Sequence, residues 1–206
     1  MKKVIIFDYD GVIIDSYKIF VKYFIKACKK EGFSQISTEE DFLRLYEKNM
    51  YESMYNIGMN KDQILKIVYY MKEKLLENQD KIKLFPEIFD TCKNLAENNF
   101  LYIVTSNDTK VVLNFLRSKN MDFFKDIIGS DKEPSKIKKI QYIKNMHKSL
   151  DTYFIGDTKG DILEGKQAEV ITIAALWGWH SKDILAQANP DFIVKKPEDL
   201  ISLIYK

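Results

Sequence analysis

Short apolar runs and amphipathic stretches alternate along most of the chain. Residues 3–7 (Lys-Val-Ile-Ile-Phe) form an almost unbroken apolar run, and so do 100–105, 126–128, 152–155, 170–174 and 192–194. Runs of this length predict short strands buried on both faces. Between them apolar positions recur at helical spacing over 86–98, 108–119, 135–147, 160–168 and 181–188. The alternation predicts an α/β fold, a Rossmann-like parallel sheet with helices on both faces.

The stretch 16–82 departs from this rhythm. It offers no strand pattern, and its apolar spacing predicts helices at 16–31, 38–48, 50–56 and 61–78, with breaks near Gly32 and Gly58. An all-α insertion therefore follows the first strand. The expected division is a core of residues 1–15 and 83–206 and a helical unit of 16–82.

Ligands of open parallel sheets bind beyond the carboxyl ends of the strands. The residues just after each apolar run are Asp8 and Asp10, Thr105-Ser106-Asn107, Gly129-Ser130-Asp131 and Gly156-Asp157. Acids and hydroxyls thus collect at one edge. Asp8 and Asp10, two residues apart on chain leaving a strand, point to the same side. Like charges so close call for a cation between them or a proton on one. Either suits phosphoryl transfer. Magnesium takes hard oxygen ligands and often binds through one or two carboxylates plus a phosphate. One carboxylate can attack phosphorus while the other gives a proton to the leaving oxygen and later takes one from water. A plain turn before Gly11 would explain the same four residues.

Each other motif also has two readings. Thr105-Ser106-Asn107 can hold phosphate oxygens through hydroxyls and amides, or can cap the helix that starts near Asp108. Lys136 opens an amphipathic run after Pro134-Ser135 and can neutralise a phosphate. Lys132 is its rival, and a surface position serves either lysine. Gly156-Asp157-Thr158-Lys159-Gly160-Asp161 supplies two more carboxylates, for a metal or for the next helix N-terminus.

Composition narrows the partners. In the 206 residues, 32 Lys+Arg face 30 Asp+Glu, a net charge of +2. Basic pairs such as Lys29-Lys30 and Lys195-Lys196 are interleaved with acids, so no basic stripe marks a nucleic-acid binder. Hydrophobic residues at 46% and aromatics at 13% suit a globular core. Cys28 and Cys92 have no metal-ligand spacing and fall in helical apolar patterns, which predicts two buried free thiols. No apolar run approaches the roughly 18–20 residues of a membrane span, and the run before Asp8 is too short for a signal peptide. The expected location is cytoplasmic, without a membrane or nucleic-acid partner, as a monomer or weak dimer.

Taken in order, Asp8-Tyr9-Asp10-Gly11…Asp15-Ser16, Thr105, Lys136 and Gly156-Asp157…Asp161 resemble the four motifs of haloacid dehalogenase-type phosphatases. Ala174-Ala175-Leu176-Trp177-Gly178 and Ala188-Asn189-Pro190-Asp191-Phe192-Ile193 look like the phosphoglycolate-phosphatase branch. The resemblance spans nearly the whole chain. It implies magnesium-dependent hydrolysis of a small phosphorylated metabolite, with 16–82 as a helical cap of the C1 type. Asp8 would be nucleophile and metal ligand. Asp10 would be general acid/base and lend its backbone carbonyl to the metal. Thr105 and the Ser106 amide would hold the phosphate, with Asn107 in support, and Lys136 would steady it. Asp157 would complete the metal site, Asp161 would support it through Lys136 or a metal-bound water, and Gly11 would let the chain turn. The acid at Asp10 sets the chain apart from the dehalogenase branch.

Other features of the sequence compete with this reading. Gly160–Gln167 nearly matches a Walker phosphate loop but lacks its terminal hydroxyl. His147 and His180 read as surface or helix-end residues. Trp177 and Trp179 fit site lining, core packing or loop anchoring equally. The alternative functions are a phosphosugar mutase, which would carry a basic residue where Met50 falls, and a silent binding protein of the same fold.

Overall fold

The computed structural model describes residues 2–205; Met1 and Lys206, the ends of the expected core, lie outside the described residues. Six strands form one parallel sheet: β1 (Val4–Phe7), β4 (Phe100–Val104), β5 (Asp126–Ile128), β6 (Thr152–Gly156), β7 (Ile171–Ala175) and β8 (Phe192–Val194), in the order β5-β4-β1-β6-β7-β8. The chain leaves β1 to build β4 and β5 on one side, then returns to build β6, β7 and β8 on the other. The order therefore reverses around β1, where open sheets of this kind form their ligand crevice. Phe7 is level with both Ile103 and Ile155, so Asp8, Thr105 and Asp157 leave the sheet at one edge.

Alternate strand residues feed two cores. Ile5, Phe7, Leu101, Ile103 and Ile155 pack with Ile88, Cys92 and Leu95 of α5 (Ile88–Asn98) and with Val111, Val112 and Phe115 of α6 (Thr109–Ser118). Val4, Ile6, Tyr102, Val104 and Phe154 face Ile140 and Ile143 of α7 (Lys136–Met146). The period of two thus explains why the strands read as unbroken apolar runs: both faces are covered. On the β7 side, α8 (Lys159–Gln167) and α9 (Lys182–Ala186) close a smaller cluster through Ile162 and Leu185.

The helical stretch comprises α1 (Tyr17–Lys30), α2 (Glu39–Leu45), α3 (Met50–Asn56) and α4 (Lys61–Glu77). It has its own apolar cluster, including Val21, Phe24, Cys28, Phe42, Met54, Ile67 and Met71. Leu75, near the end of α4, belongs instead to the cluster under the sheet. Cys28 and Cys92 are free and buried, as their apolar context predicts.

Three features depart from the sequence reading. A two-stranded antiparallel ribbon, β2 (Ile14–Asp15) with β3 (Lys83–Leu84), ties together the chain entering and leaving the helices. Two residues per strand carry no periodicity to read. A last helix, α10 (Asp199–Ile204), buries Leu200 and Ile204 against the sheet cluster. The helix expected over 38–48 stops at Leu45. The Tyr46 carbonyl accepts the Gly160 amide, and Asn49 caps α3 by accepting from the Glu52 amide.

Candidate functional site

Asp8 and Asp10 lie beyond β1 and are both buried. The turn between them and the helices depends on Gly11, at φ +84°, where a Cβ would overlap the Asp157 carboxylate. The Asp10 carboxylate is fixed by two donors: the Ser16 hydroxyl at 2.7 Å and the Asn107 amide at 3.0 Å. Burial pushes its pKa up, against the pull of these bonds. The group is thus held in place, and burial disfavours its charged form.

Lys136, at the first position of α7, reaches Asp8 Oδ2 at 2.9 Å and Asp161 Oδ1 at 2.5 Å, with its side chain 7% exposed. Lys132, its rival in the sequence, is half exposed and binds Asp126 and the Ile127 carbonyl. Burial alone would lower the Lys136 pKa, but the Asp161 and Asp8 carboxylates raise it well above the ordinary lysine value. It is a fixed positive charge. Asp161 is held low for the reciprocal reason, as Lys136 and the Thr158 hydroxyl outweigh its burial. Both Asp161 oxygens are engaged, since Oδ2 closes a capping box with Thr158 on α8.

Asp8 Oδ1 and Asp157 Oδ1 are buried with no hydrogen-bond partner among the described residues. Oxygens from Asp8, Asp157 and Asp161 fall within 4.8 Å of one another. Burial first, then neighbouring carboxylates, push the Asp8 pKa up to about 7 and raise Asp157 well above its ordinary value. A hard divalent cation fits this arrangement: it would satisfy both orphaned oxygens and reverse the repulsion. The other Asp157 oxygen accepts the Trp179 amide at 2.7 Å, so the carboxylate is oriented from behind. In the side-chain cluster Asp161 takes the third place. The Asp10 carboxylate faces Ser16 and Asn107.

Thr105 is buried beyond β4, its hydroxyl accepting the Asn107 amide N–H at 3.0 Å. With Asp8, Asp10, Ser106, Asn107 and Lys136 it lines a small cavity of about 50 Å³. Phe20, Met50, Asn49 and Trp179 close the cavity from the helical side and from the loop after β7.

Two groups have roles that sequence reasoning missed. His180 is buried, not at the surface. Its Nδ1 accepts the Lys159 amide at 2.9 Å, and its Nε2 lies 3.1 Å from the Leu43 carbonyl. Burial lowers its pKa. Lys139 is buried behind the phosphate-side loop and donates to the Thr105 carbonyl at 2.6 Å. Burial and the nearby Lys136 charge bring it down to about 7. His147 does end α7, stacked on Phe100. Trp177 anchors its loop by donating to the Val12 carbonyl at 3.0 Å.

Residues 5–175 match the model of the haloacid dehalogenase-like hydrolase family. The chain belongs to this family. Among curated relatives, pyrophosphatase PpaX of Listeria innocua is 26% identical over 97% of this chain and 95% of its own length. The phosphoglycolate phosphatase of Synechococcus elongatus is 22% identical, covering 97% and 96%. A haloacid dehalogenase-like hydrolase from Streptococcus pneumoniae superposes with a TM-score of 0.74 at 25% identity, covering 98% of each chain. A hydrolase from Pseudomonas syringae gives 0.80 at 19% over 99% and 98%, a likeness of fold. The sheet order and the inserted helices are thus the architecture of a hydrolase family. Among the described residues no helix is long and apolar enough to cross a membrane.

Proposed function

We propose that the chain hydrolyses small phosphomonoesters through a phosphoryl group carried on Asp8. The observation that supports this most is the pairing of two buried carboxylates with different surroundings on one cavity. Asp8 is backed by the Lys136 ammonium, and Asp10 is held by Ser16 and Asn107. Asp8 is held against a cation with one oxygen left unpartnered, and Asp10 is fixed by neutral donors, a difference that suits a nucleophile and a proton carrier.

Asp8 attacks phosphorus, and the bond from phosphorus to the ester oxygen breaks. Asp10 delivers its proton to that oxygen, so the leaving group departs as a neutral alcohol. The same carboxylate, now ionised, takes a proton from water as the water attacks the aspartyl phosphate. Inorganic phosphate leaves and Asp8 is restored. Thr105 and the Ser106 amide hold the phosphoryl oxygens, and Lys136 neutralises charge on the phosphate and on Asp8. Asp8 and Asp157 would hold Mg²⁺, with the Asp10 carbonyl added by the family resemblance. Bound there, the ion supplies positive charge between nucleophile and phosphate. The helices of 16–82 act as a cap that keeps bulk water from the cavity.

Relatives named for pyrophosphate and phosphoglycolate supply the first substrates to try. The mutase alternative stays open, since Met50 brings a thioether to the cavity but Lys48 of the same loop also lines it. Phosphate release from a panel of esters, with and without magnesium, tests the reading. Magnesium-dependent turnover that falls about 10³-fold or more in Asp8→Asn supports it. Unchanged turnover in Asp8→Asn, or no turnover of any ester by folded protein, overturns it.

A further inference from the structure

Two larger cavities adjoin the small one that holds Asp8 and Asp10. One, of about 540 Å³, meets it at Lys48, Asn49 and Glu164. The other, of about 590 Å³, meets it at Phe20, Met50, Ser106 and Asn107. They share Tyr51 and Pro134 but meet the small cavity through different residues. Glu164 is bonded to Asn49 at 2.7 Å and stands within the fields of Lys136 and Asp161. Asn107 instead donates to Asp10 at 3.0 Å.

We propose that the 590 Å³ cavity receives the leaving group, and that the preferred substrates are phosphomonoesters of bulky apolar alcohols. The inference rests on the phosphatase reading, because it takes Asp10 as the acid. The atom that departs must be the one Asp10 protonates, so the leaving group lies on the Asp10 side of the phosphate. Asn107 is shared by Asp10 and the larger cavity, which puts that cavity next in line. Its volume lies within the usual range for small-molecule sites.

The walls name the chemistry. Phe24, Ile64, Ile67, Val68 and Met71 give the helical side of the lining its apolar character. Both of its acids are already engaged. Asp108 pairs with Lys72 at 2.6 Å and caps α6, and Asp131 accepts the Thr109 amide and hydroxyl. The lining holds Lys61 and Lys72 with Asp108 and Asp131, two charges of each sign, so it carries no net charge. Leu65 and Tyr69, 55% and 64% exposed, carry the apolar wall out to solvent, where a chain longer than the cavity can follow it.

The test compares ligands that differ only in apolar length. Hexylphosphonate and ethylphosphonate are titrated calorimetrically into the protein with magnesium, and phosphate release is measured from hexyl phosphate, ethyl phosphate, phosphoglycolate and pyrophosphate. The expected result is hexylphosphonate binding at least about tenfold tighter than ethylphosphonate, below the full value of four buried methylenes because the chain must be ordered. The value of kcat/KM should rank hexyl phosphate first by a similar factor. Val68→Trp, which fills the cavity, should bring both hexyl-to-ethyl ratios close to one. Equal binding of the two phosphonates overturns the proposal, and so does a ratio that folded Val68→Trp leaves intact. Length-dependent binding without turnover of any ester keeps the cavity assignment and sinks the reaction. Turnover led by phosphoglycolate or pyrophosphate keeps the reaction and sinks the apolar class.

Discussion

The carboxyl edge of the sheet and the helical stretch over it hold their side chains in opposite ways. At the sheet edge the side chains are fixed by hydrogen bonds and ion pairs, with one oxygen each of Asp8 and Asp157 left unpartnered. Asp10 is bonded to Ser16 and Asn107, Lys136 to Asp8 and Asp161, and Asp157 to the Trp179 amide. The helical side meets this edge through packing. Trp179, reaching over from the loop after β7, sits 5.2 Å from Phe20, 5.4 Å from Phe42 and 5.0 Å from Tyr46. Polar ties across the boundary include Asn49 to Glu164, Lys159 to Glu47, Lys72 to Asp108, the Gly160 amide to the Tyr46 carbonyl and His180 to the Leu43 carbonyl. A bonded network fixes geometry to fractions of an ångström, whereas an apolar contact can separate and reform without stranding a polar group. The difference suits an edge that holds polar groups in fixed positions beneath a cover seated largely by aromatic packing.

The contrast can be broken most severely at Lys136. Lys136→Ala leaves the buried Asp8 and Asp161 without their cation. About 10³-fold of kcat should disappear, with roughly 3 kcal/mol of stability, as read by turnover and urea unfolding. Next comes Gly11→Ala, which forces a Cβ onto the Asp157 carboxylate at a positive φ. It should cost about 2 kcal/mol and lower kcat more than it raises KM, because the turn and Asp157 are both part of the edge. A change confined to the boundary should do less. Asn49→Ser keeps an acceptor for the Glu52 amide but cannot reach Glu164. The expected loss is about 1–2 kcal/mol, with kcat reduced by less than about tenfold.

The last effect is one of pH. Lys139 has its pKa brought down to about 7 from an ordinary value of 10.5, because the fold disfavours its charged form. Between these values the unfolded chain holds a proton that the folded one has lost, so stability rises with pH across that window. Below pH 7 the penalty is fully present. Lys139→Met should flatten this rise, which denaturant melts at pH 6.5, 8 and 9.5, chosen around the value of about 7, would detect. An unchanged slope would remove Lys139 as its source.

What the sequence made legible follows the same division. Asp8, Asp10, Thr105 and Asp157 could be located because each directly follows a run whose buried pattern is local. The parallel sheet was readable for the same reason. Lys136 and Lys132 could not be told apart from composition, since only the docking of α7 on the sheet buries one and leaves the other in water. His180 was misread because its partners stand 21 and 137 residues away, and Asn49 and Glu164 are 115 apart. Lys139 gave no signal, as a lysine inside a lysine-rich amphipathic run reads as surface. The β2–β3 ribbon is too short for any period, and α10 has only six residues.

The central claim is that Asp8 carries the phosphoryl group. In Asp10→Asn, Asp8 should still attack an aryl phosphate whose phenolate leaves without a proton, but water is not activated, so the phosphorylated form accumulates. Rapid acid quench of Asp10→Asn with substrate and magnesium, followed by peptide mass mapping, tests this directly. The account predicts one phosphoryl group on the peptide containing Asp8, absent in Asp8→Asn/Asp10→Asn. A phosphoryl group on any other residue would contradict it, as would no phosphorylated protein from an Asp10→Asn variant that still releases phosphate.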